Sequence, residues 1–313
     1  MSLRIEQLAK TYPNGTQALR DVSLTIPQGM FGLLGPNGAG KSTLMRILAT
    51  LQEADTGTAT LETGPGQVID VLRDHDAVRR TLGYLPQEFG LYPKVSAEEL
   101  LDHFAVLKGV VDRRQRRELV SALLHQTNLY EARKKHLGGY SGGMRQRFGI
   151  AVALIGNPRL IIVDEPTAGL DPAERVRFLN LLAELGTQSV VILSTHIVED
   201  VSELCSRMAI IDRGAILLED EPLGAVRALQ GKVWRKIVDR DEIPALEQSR
   251  LVISTKLLAG RTVVRVYAPD RPDPTYDATE ATLEDVYFAV MKGALGRGAA
   301  PAAAARESVG APV

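Results

Sequence analysis

The sequence predicts an α/β fold: a mainly parallel sheet with crossover helices, an antiparallel β subdomain, an inserted α-helical subdomain and a small α+β appendage. Three observations predict it. Residues 30–48 read as an apolar strand, a glycine-rich turn and a helix. After residue 159 the chain alternates strand and helix, the signature of parallel strands joined by crossovers. Between these stretches, residues 96–156 carry helical periodicity, so a helical insertion interrupts the α/β core.

The elements follow in order. Two alternating runs, around Leu3/Ile5 and Val22/Leu24/Ile26, flank a Pro13-Asn14-Gly15 turn and read as antiparallel strands. Met30-Phe31-Gly32-Leu33-Leu34 is a buried strand, and Ser42–Leu48 a helix. Short strands with Gly-Pro-Gly punctuation fill residues 57–85. Ser96 and Glu99 form a capping box for a helix with Leu100, Leu101, Phe104 and Leu107 on one face. A second helix follows Asp112, with Val120, Leu123 and Leu124 apolar, and a third contains Phe148–Ile155. Leu160–Val163 and Val190–Leu193 are strands around a helix opened by Asp171-Pro172. Past residue 222 come two strand-like runs, Leu251–Ser254 and Thr262–Tyr267, and a capped helix, Thr282–Met291. The expected division is a domain at 1–221 with its helical part at about 90–156, a small domain at 222–292 and a disordered Ala/Gly/Pro-rich tail at 293–313.

The chemistry concentrates in a few motifs. GPNGAGKST at 35–43 satisfies G-x-x-x-x-G-K-[ST] with Gly35, Gly40, Lys41 and Ser42. Such a loop turns backbone N–H groups around a polyphosphate, sends its lysine to the β/γ oxygens and ligates Mg²⁺ through its hydroxyl. The following helix aims its positive end at the same phosphates, which makes this a P-loop NTPase core. Leu160-Ile161-Ile162-Val163 ends abruptly in Asp164-Glu165. At the carboxyl edge of a parallel sheet, Asp164 is placed to hold Mg²⁺ through its water shell, and Glu165 to accept a proton from, or orient, an attacking water. Ser141-Gly142-Gly143 opens a helix and forms a second anion site, which makes sense if it serves another subunit's nucleotide.

Composition narrows the rest. Among 313 residues, 38 acidic and 37 basic side chains nearly cancel, so no global field points to nucleic acid. The single Cys205 excludes a disulfide framework and reads as a small buried hydrophobe. Charges within Met1–Glu6 occupy the place of a leader's apolar core, and the most apolar window, Phe148 to Val163, is cut by Gly156-Asn157-Pro158-Arg159. The Arg113–Arg117 and Arg133–Lys135 clusters lack interleaved aromatics and read as solvated helix faces. His75, His103, His125 and His136 show no metal-ligand spacing, and Trp234 reads as core of the appendage.

GPNGAGKST, YSGGMRQ, LIIVDEP, Ala168-Gly169-Leu170-Asp171 and Ser194-Thr195-His196, in this order, resemble the ATP-binding cassette (ABC) ATPases over residues 1 to about 220. The resemblance implies a head-to-tail homodimer holding two ATP molecules and Mg²⁺. ATP would be bound by Gly35, Pro36, Asn37, Gly38, Ala39, Gly40, Lys41, Ser42 and Thr43, with Tyr12 stacking on adenine. Gln87 would sense Mg²⁺ and water, giving a metal set of Ser42, Gln87 and Asp164. Ser141, Gly142 and Gly143 would reach the partner's γ-phosphate, with Asp171 at the dimer seam. Glu165, His196 and Lys41 would be catalytic. Tyr140 and Met144 depart from the family's usual Leu and Gln, while the phosphate-facing residues between them are retained.

The sequence is therefore expected to be the Mg²⁺-dependent ATPase subunit of an exporter-like ABC transporter. It would sit peripherally on the cytoplasmic face of the membrane and power a separate integral membrane permease, with residues 88–94 as the contact. A soluble ABC ATPase acting on DNA or ribosomes is the rival class. It is disfavoured because about a hundred residues without sustained heptads separate the two phosphate-facing motifs, and because the phosphate loop occurs once. A regulatory module without turnover is disfavoured by Glu165 and His196.

Overall fold

The structure, a computed structural model, describes residues 1–87, 90 and 92–295. In chain order the elements are β1 (Ser2–Thr11), β2 (Gln17–Pro27), β3 (Gly29–Leu34), α1 (Lys41–Leu48), β4 (Thr56–Gly64), β5 (Gln67–Asp70), α2 (His75–Thr81) and β6 (Leu82–Leu85). The helical insertion follows as α3 (Ala97–Leu107), α4 (Arg113–Gln126) and α5 (Gly142–Ala153). Then come β7 (Leu160–Asp164), α6 (Pro172–Gly186), β8 (Val190–Thr195), α7 (Val198–Leu204), β9 (Arg207–Asp212) and β10 (Ala215–Asp220). The C-terminal part is α8 (Pro222–Ala228), β11 (Val233–Val238), α9 (Ile243–Ser249), β12 (Leu251–Leu258), β13 (Arg261–Tyr267), β14 (Asp277–Ala278) and α10 (Leu283–Met291).

The central sheet has the order β10-β9-β3-β8-β7-β6. All its neighbours pair in parallel except β9 and β10, which form an antiparallel hairpin at one edge. β7 and β8 are buried along their whole length because both faces are covered, which is why they read as continuous apolar runs. Leu160 and Ile162 face a core shared with α1 and the antiparallel sheet β2-β1-β4-β5. Ile161 and Val163 face the opposite core, which continues into the helical insertion and the C-terminal elements.

α3 begins at the expected capping box: the Ser96 N–H donates to Glu99 Oε2 at 3.0 Å and the Glu99 N–H to Ser96 Oγ at 3.3 Å. Leu100 and Leu101 are buried, but Leu107, expected on the packed face, is 68% exposed and lines an open groove with Tyr84 and Val152. α10 carries a second capping box, Thr282 with Asp285. It packs on α7, α8 and the β9–β10 hairpin as well as on β12. Trp234 is half-buried, its indole N–H donating to Ala268 O at 3.1 Å. Of the tail expected to be disordered, residues 293–295 instead close α10, the Gly293 and Ala294 N–H groups donating to Val290 O at 3.0 Å and Ala289 O at 2.8 Å, and the rest lies outside the described residues.

Candidate functional site

The phosphate loop joins β3 to α1 at the carboxyl edge of the central sheet. Two of its glycines are required by geometry. A Cβ on Gly35 would meet Ile211 O at 2.4 Å. Gly40 has φ +108° and sits against Ala18 O, which a Cβ would meet at 2.4 Å. At these two positions the loop packs too closely against β9 and β2 for any side chain.

The Lys41 ammonium is buried and curls back into the loop. It donates to Gly35 O at 2.7 Å and Pro36 O at 3.2 Å, and lies 3.5 Å from Glu165 Oε1. Burial pulls its pKa below the ordinary lysine value, and the Glu165 charge only partly offsets this. Glu165 Oε2 lies 2.8 Å from His196 Nδ1. Glu165 thus links the lysine and the histidine. Its backbone has φ +50°, a left-handed conformation that a glutamate rarely adopts. The Glu165 N–H donates to Ser194 O at 2.8 Å, tying the end of β7 to β8. Asp164, one residue earlier, is buried, and its Oδ1 finds no hydrogen-bond partner among the described residues.

A cleft of about 470 Å³ lies over the loop, lined by Tyr12, residues 16–18, residues 36–43, Gln87 and Glu165. Tyr12 is half-buried; its hydroxyl lies 3.1 Å from Thr43 Oγ1 and donates to Gln52 Oε1 at 3.2 Å. The Thr43 bond lowers the tyrosine pKa against the opposing effect of burial. Thr16, Gln17 and Ala18 were not singled out in the sequence; they reach the cleft because β2 begins directly beside the loop. The turn at Pro13-Asn14-Gly15 was the available signal.

Ser141, Gly142, Gly143 and Asp171 do not line this cleft among the described residues. Ser141 is the exposed N-cap of α5, accepting from the Met144 N–H at 3.2 Å. Asp171 caps α6, accepting from the Glu174 N–H at 2.9 Å. The Glu174 side chain lies against Gly143, where a Cβ would meet its Oε2 at 2.5 Å, and Arg147 Nη2 is 3.4 Å from the same oxygen. The two outward-facing motifs are thereby braced together, away from the chain's own phosphate loop.

A glycine-rich anion loop opening a helix, with a carboxylate-ended strand two places along at the same sheet edge, defines a P-loop nucleotide-binding ATPase. Comparison with known proteins refines the class. The ABC transporter family model matches residues 19–168. YxlF of Bacillus subtilis, described as an uncharacterized ABC transporter ATP-binding protein, is 32% identical over 314 residues, covering 92% of this chain and 99% of YxlF. The doxorubicin resistance ATP-binding protein DrrA of Mycobacterium tuberculosis is 35% identical over 244 residues, covering 77% of this chain and 72% of DrrA. YbhF of Escherichia coli, a probable multidrug ABC transporter ATP-binding protein, is 29% identical over 308 residues, covering 93% of this chain but 52% of YbhF. The dimeric post-hydrolysis structure of the ATP-binding cassette MJ0796 bound to ADP and Pi superposes with a TM-score of 0.62 at 28% identity, covering 70% of this chain and 98% of that one. The chain belongs to the ATP-binding proteins of ABC transporters, and its cassette is an ATPase.

Proposed function

We propose that this chain is the ATP-hydrolysing subunit of an exporter, working as a homodimer on the cytoplasmic face of a membrane and driving a separately encoded permease. The observation that carries the hydrolytic part is Glu165, set at the end of β7 with one oxygen 3.5 Å from Lys41 Nζ and the other 2.8 Å from His196 Nδ1. In this arrangement Lys41 and His196 face the incoming γ-phosphate from two sides of one carboxylate. Glu165 orients the attacking water and accepts its proton as the γ-phosphorus–oxygen bond to ADP breaks. Lys41 exchanges its contacts with Gly35 O and Pro36 O for phosphate oxygens, and the loop N–H groups neutralise the remaining charge. Tyr12 stacks on the base. Ser141, Gly142 and Gly143, with Asp171 beside them, meet the nucleotide of the partner, since they face away from their own cleft.

The buried Asp164 Oδ1, without a partner among the described residues, fits a metal-bound water, so Ser42, Gln87 and Asp164 would hold Mg²⁺, which would supply charge neutralisation at the phosphates. Among the described residues no helix is long and apolar enough to cross a membrane. A groove of about 590 Å³ supports the permease reading. It lies between the cassette core and the helical insertion, lined by Leu51, Arg79, Tyr84, Leu107, Lys108 and Val152 among others. Leu51 and Leu107 are 65% and 68% exposed there, beside the strand that leads to Gln87. A permease helix seated in this groove would sense movement of Gln87. Part of the expected contact at 88–94, namely 88, 89 and 91, lies outside the described residues. The names of DrrA, a doxorubicin resistance protein, and of YbhF, a probable multidrug transporter protein, support export.

The test is a Glu165→Gln variant. Hydrolysis should fall by at least 100-fold with ATP binding retained, and with ATP the variant should capture a multi-span membrane protein from detergent-solubilised native membranes. Unchanged hydrolysis refutes the mechanism. Capture of ribosomes or DNA-associated proteins in place of a membrane subunit would establish the soluble class instead.

A further inference from the structure

The mechanism leaves one buried charge unused. Asp200 lies in the first turn of α7, four residues after His196, and is 0% exposed. Both of its oxygens are engaged. Oδ2 accepts from Thr167 Oγ1 at 2.5 Å, and Oδ1 accepts from Arg175 Nε at 2.7 Å. Thr167 is itself buried and follows Glu165 by two residues. Arg175 follows Asp171 by four residues, and its N–H donates to Asp171 O at 2.9 Å. One carboxylate therefore joins α7, the loop between Glu165 and Asp171, and the start of α6.

Fold stability is a poor reason for such an arrangement, because a buried ion pair repays little more than its own desolvation, and apolar packing of the same volume would serve as well. Its effect is directional. The loop departs from β7 through a left-handed Glu165, a conformation that persists only where the surroundings over-determine it. Within the loop, the Ala168 N–H donates to Glu165 O at 3.4 Å and the Leu170 N–H to Thr167 O at 3.2 Å. Both are internal to the loop and would move with it. The Thr167–Asp200 bond fixes the loop to a different element, the one that carries His196 at its entrance.

We propose that Asp200 is a positioning residue for hydrolysis. Through Thr167 it holds Glu165 in register with Lys41 and His196, and through Arg175 it holds Asp171 toward the partner subunit. It touches neither nucleotide nor cleft. The inference rests on the role given to Glu165 above.

The test uses the full chain with Asp200→Asn, Thr167→Val, their combination, and Thr167→Ser, with rates expressed per bound ATP so that lost protein is not counted as lost chemistry. The expected kcat falls about 10- to 100-fold in each of the first two, the scale on which a small misplacement of a reacting group acts, with ATP affinity and KM within about twofold. The double variant should be no slower than the slower single, because both break one link. Thr167→Ser, which keeps the hydroxyl, should restore the rate. Wild-type kcat per bound ATP in folded Asp200→Asn and Thr167→Val overturns the proposal. So does a Thr167→Ser rate as low as that of Thr167→Val, which would assign the effect to methyl packing. If Asp200→Asn does not fold, the Val/Ser comparison at Thr167 decides alone. Loss of hydrolysis in Glu165→Gln together with wild-type rates in the Asp200 and Thr167 variants sinks this inference and leaves the functional reading intact. Unchanged hydrolysis in Glu165→Gln sinks both.

Discussion

Gly40 and Cys205 show how single residues are constrained by what lies beside them. Gly40 combines φ +108° with a close approach to Ala18 O, so Gly40→Ala carries backbone strain of about 1–3 kcal/mol and a steric clash together. The relief is to open the phosphate loop, so ATP affinity should fall at least tenfold in a nucleotide titration while far-ultraviolet circular dichroism is retained. Cys205 caps the C-terminus of α7, and its thiol is pushed up to about 12, first by burial and then by the Asp200 charge. A raised acid pKa means that the folded state holds the proton more tightly than the unfolded one. The associated stability is complete below the unfolded thiol's value near 9.0 and is lost as pH rises from there toward about 12. Native protein at pH 8 should leave Cys205 unmodified by a thiol reagent over hours, with full reaction on denaturation. Rapid native labelling would contradict this burial.

At the scale of elements, the caps bear local stability. Ser96→Ala removes the bond from the Glu99 N–H and should cost about 1 kcal/mol, seen as faster amide exchange in the first turn of α3. Gly143→Ala drives a Cβ against the Glu174 carboxylate at 2.5 Å and should misplace the start of α5, abolishing hydrolysis while each subunit still binds ATP. These elements were legible in the sequence because their signals are local: a capping box, an apolar run ending in two carboxylates, a glycine loop with its lysine. β10 was not identified. Every residue of β10 is half-buried, so alternation is lost, and only the Arg213-Gly214 turn marks the hairpin. β11 was missed because Arg235 and Lys236 interrupt its apolar pattern; pairing with β13 supplies the strand. The cleft-lining stretch 16–18, the left-handed Glu165 and the Asp200 link have the same cause. Each depends on partners that the fold brings in from afar, such as Thr167 and Arg175, 33 and 25 positions from Asp200.

Across the whole molecule, Ser141-Gly142-Gly143 stand apart from the cleft over the phosphate loop, and on the proposed reading one subunit is an incomplete site. Glu165→Gln with ATP should therefore elute at about twice the 34.0 kDa chain mass and return to monomer when ATP is removed. A monomer at saturating ATP would contradict the shared site. The C-terminal elements raise a second question of scale, since a small domain of its own was expected after residue 221. Ala225, Leu229, Val286, Ala289 and Val290 share one apolar core with Val201, Cys205, Met208 and Ile210 of the cassette. Burying side chains such as Leu229 and Val286 contributes about 1.5–3 kcal/mol each, enough to couple the two parts in unfolding. α10 is fixed to its sheet by Arg265, whose Nε and Nη2 meet the two oxygens of the buried Asp285 at 2.7 and 2.6 Å. Arg265→Met leaves that carboxylate buried without its cation and should cost about 3–5 kcal/mol. At about 2–4 °C per kcal/mol for a chain approaching this size, the melting temperature should drop by roughly 6–20 °C. If the core is shared, calorimetry will show one transition moving as a whole, with ATPase activity lost along it. An early, separate transition that leaves hydrolysis intact would instead show that the C-terminal part unfolds alone and that α10 adds nothing to the stability of the cassette.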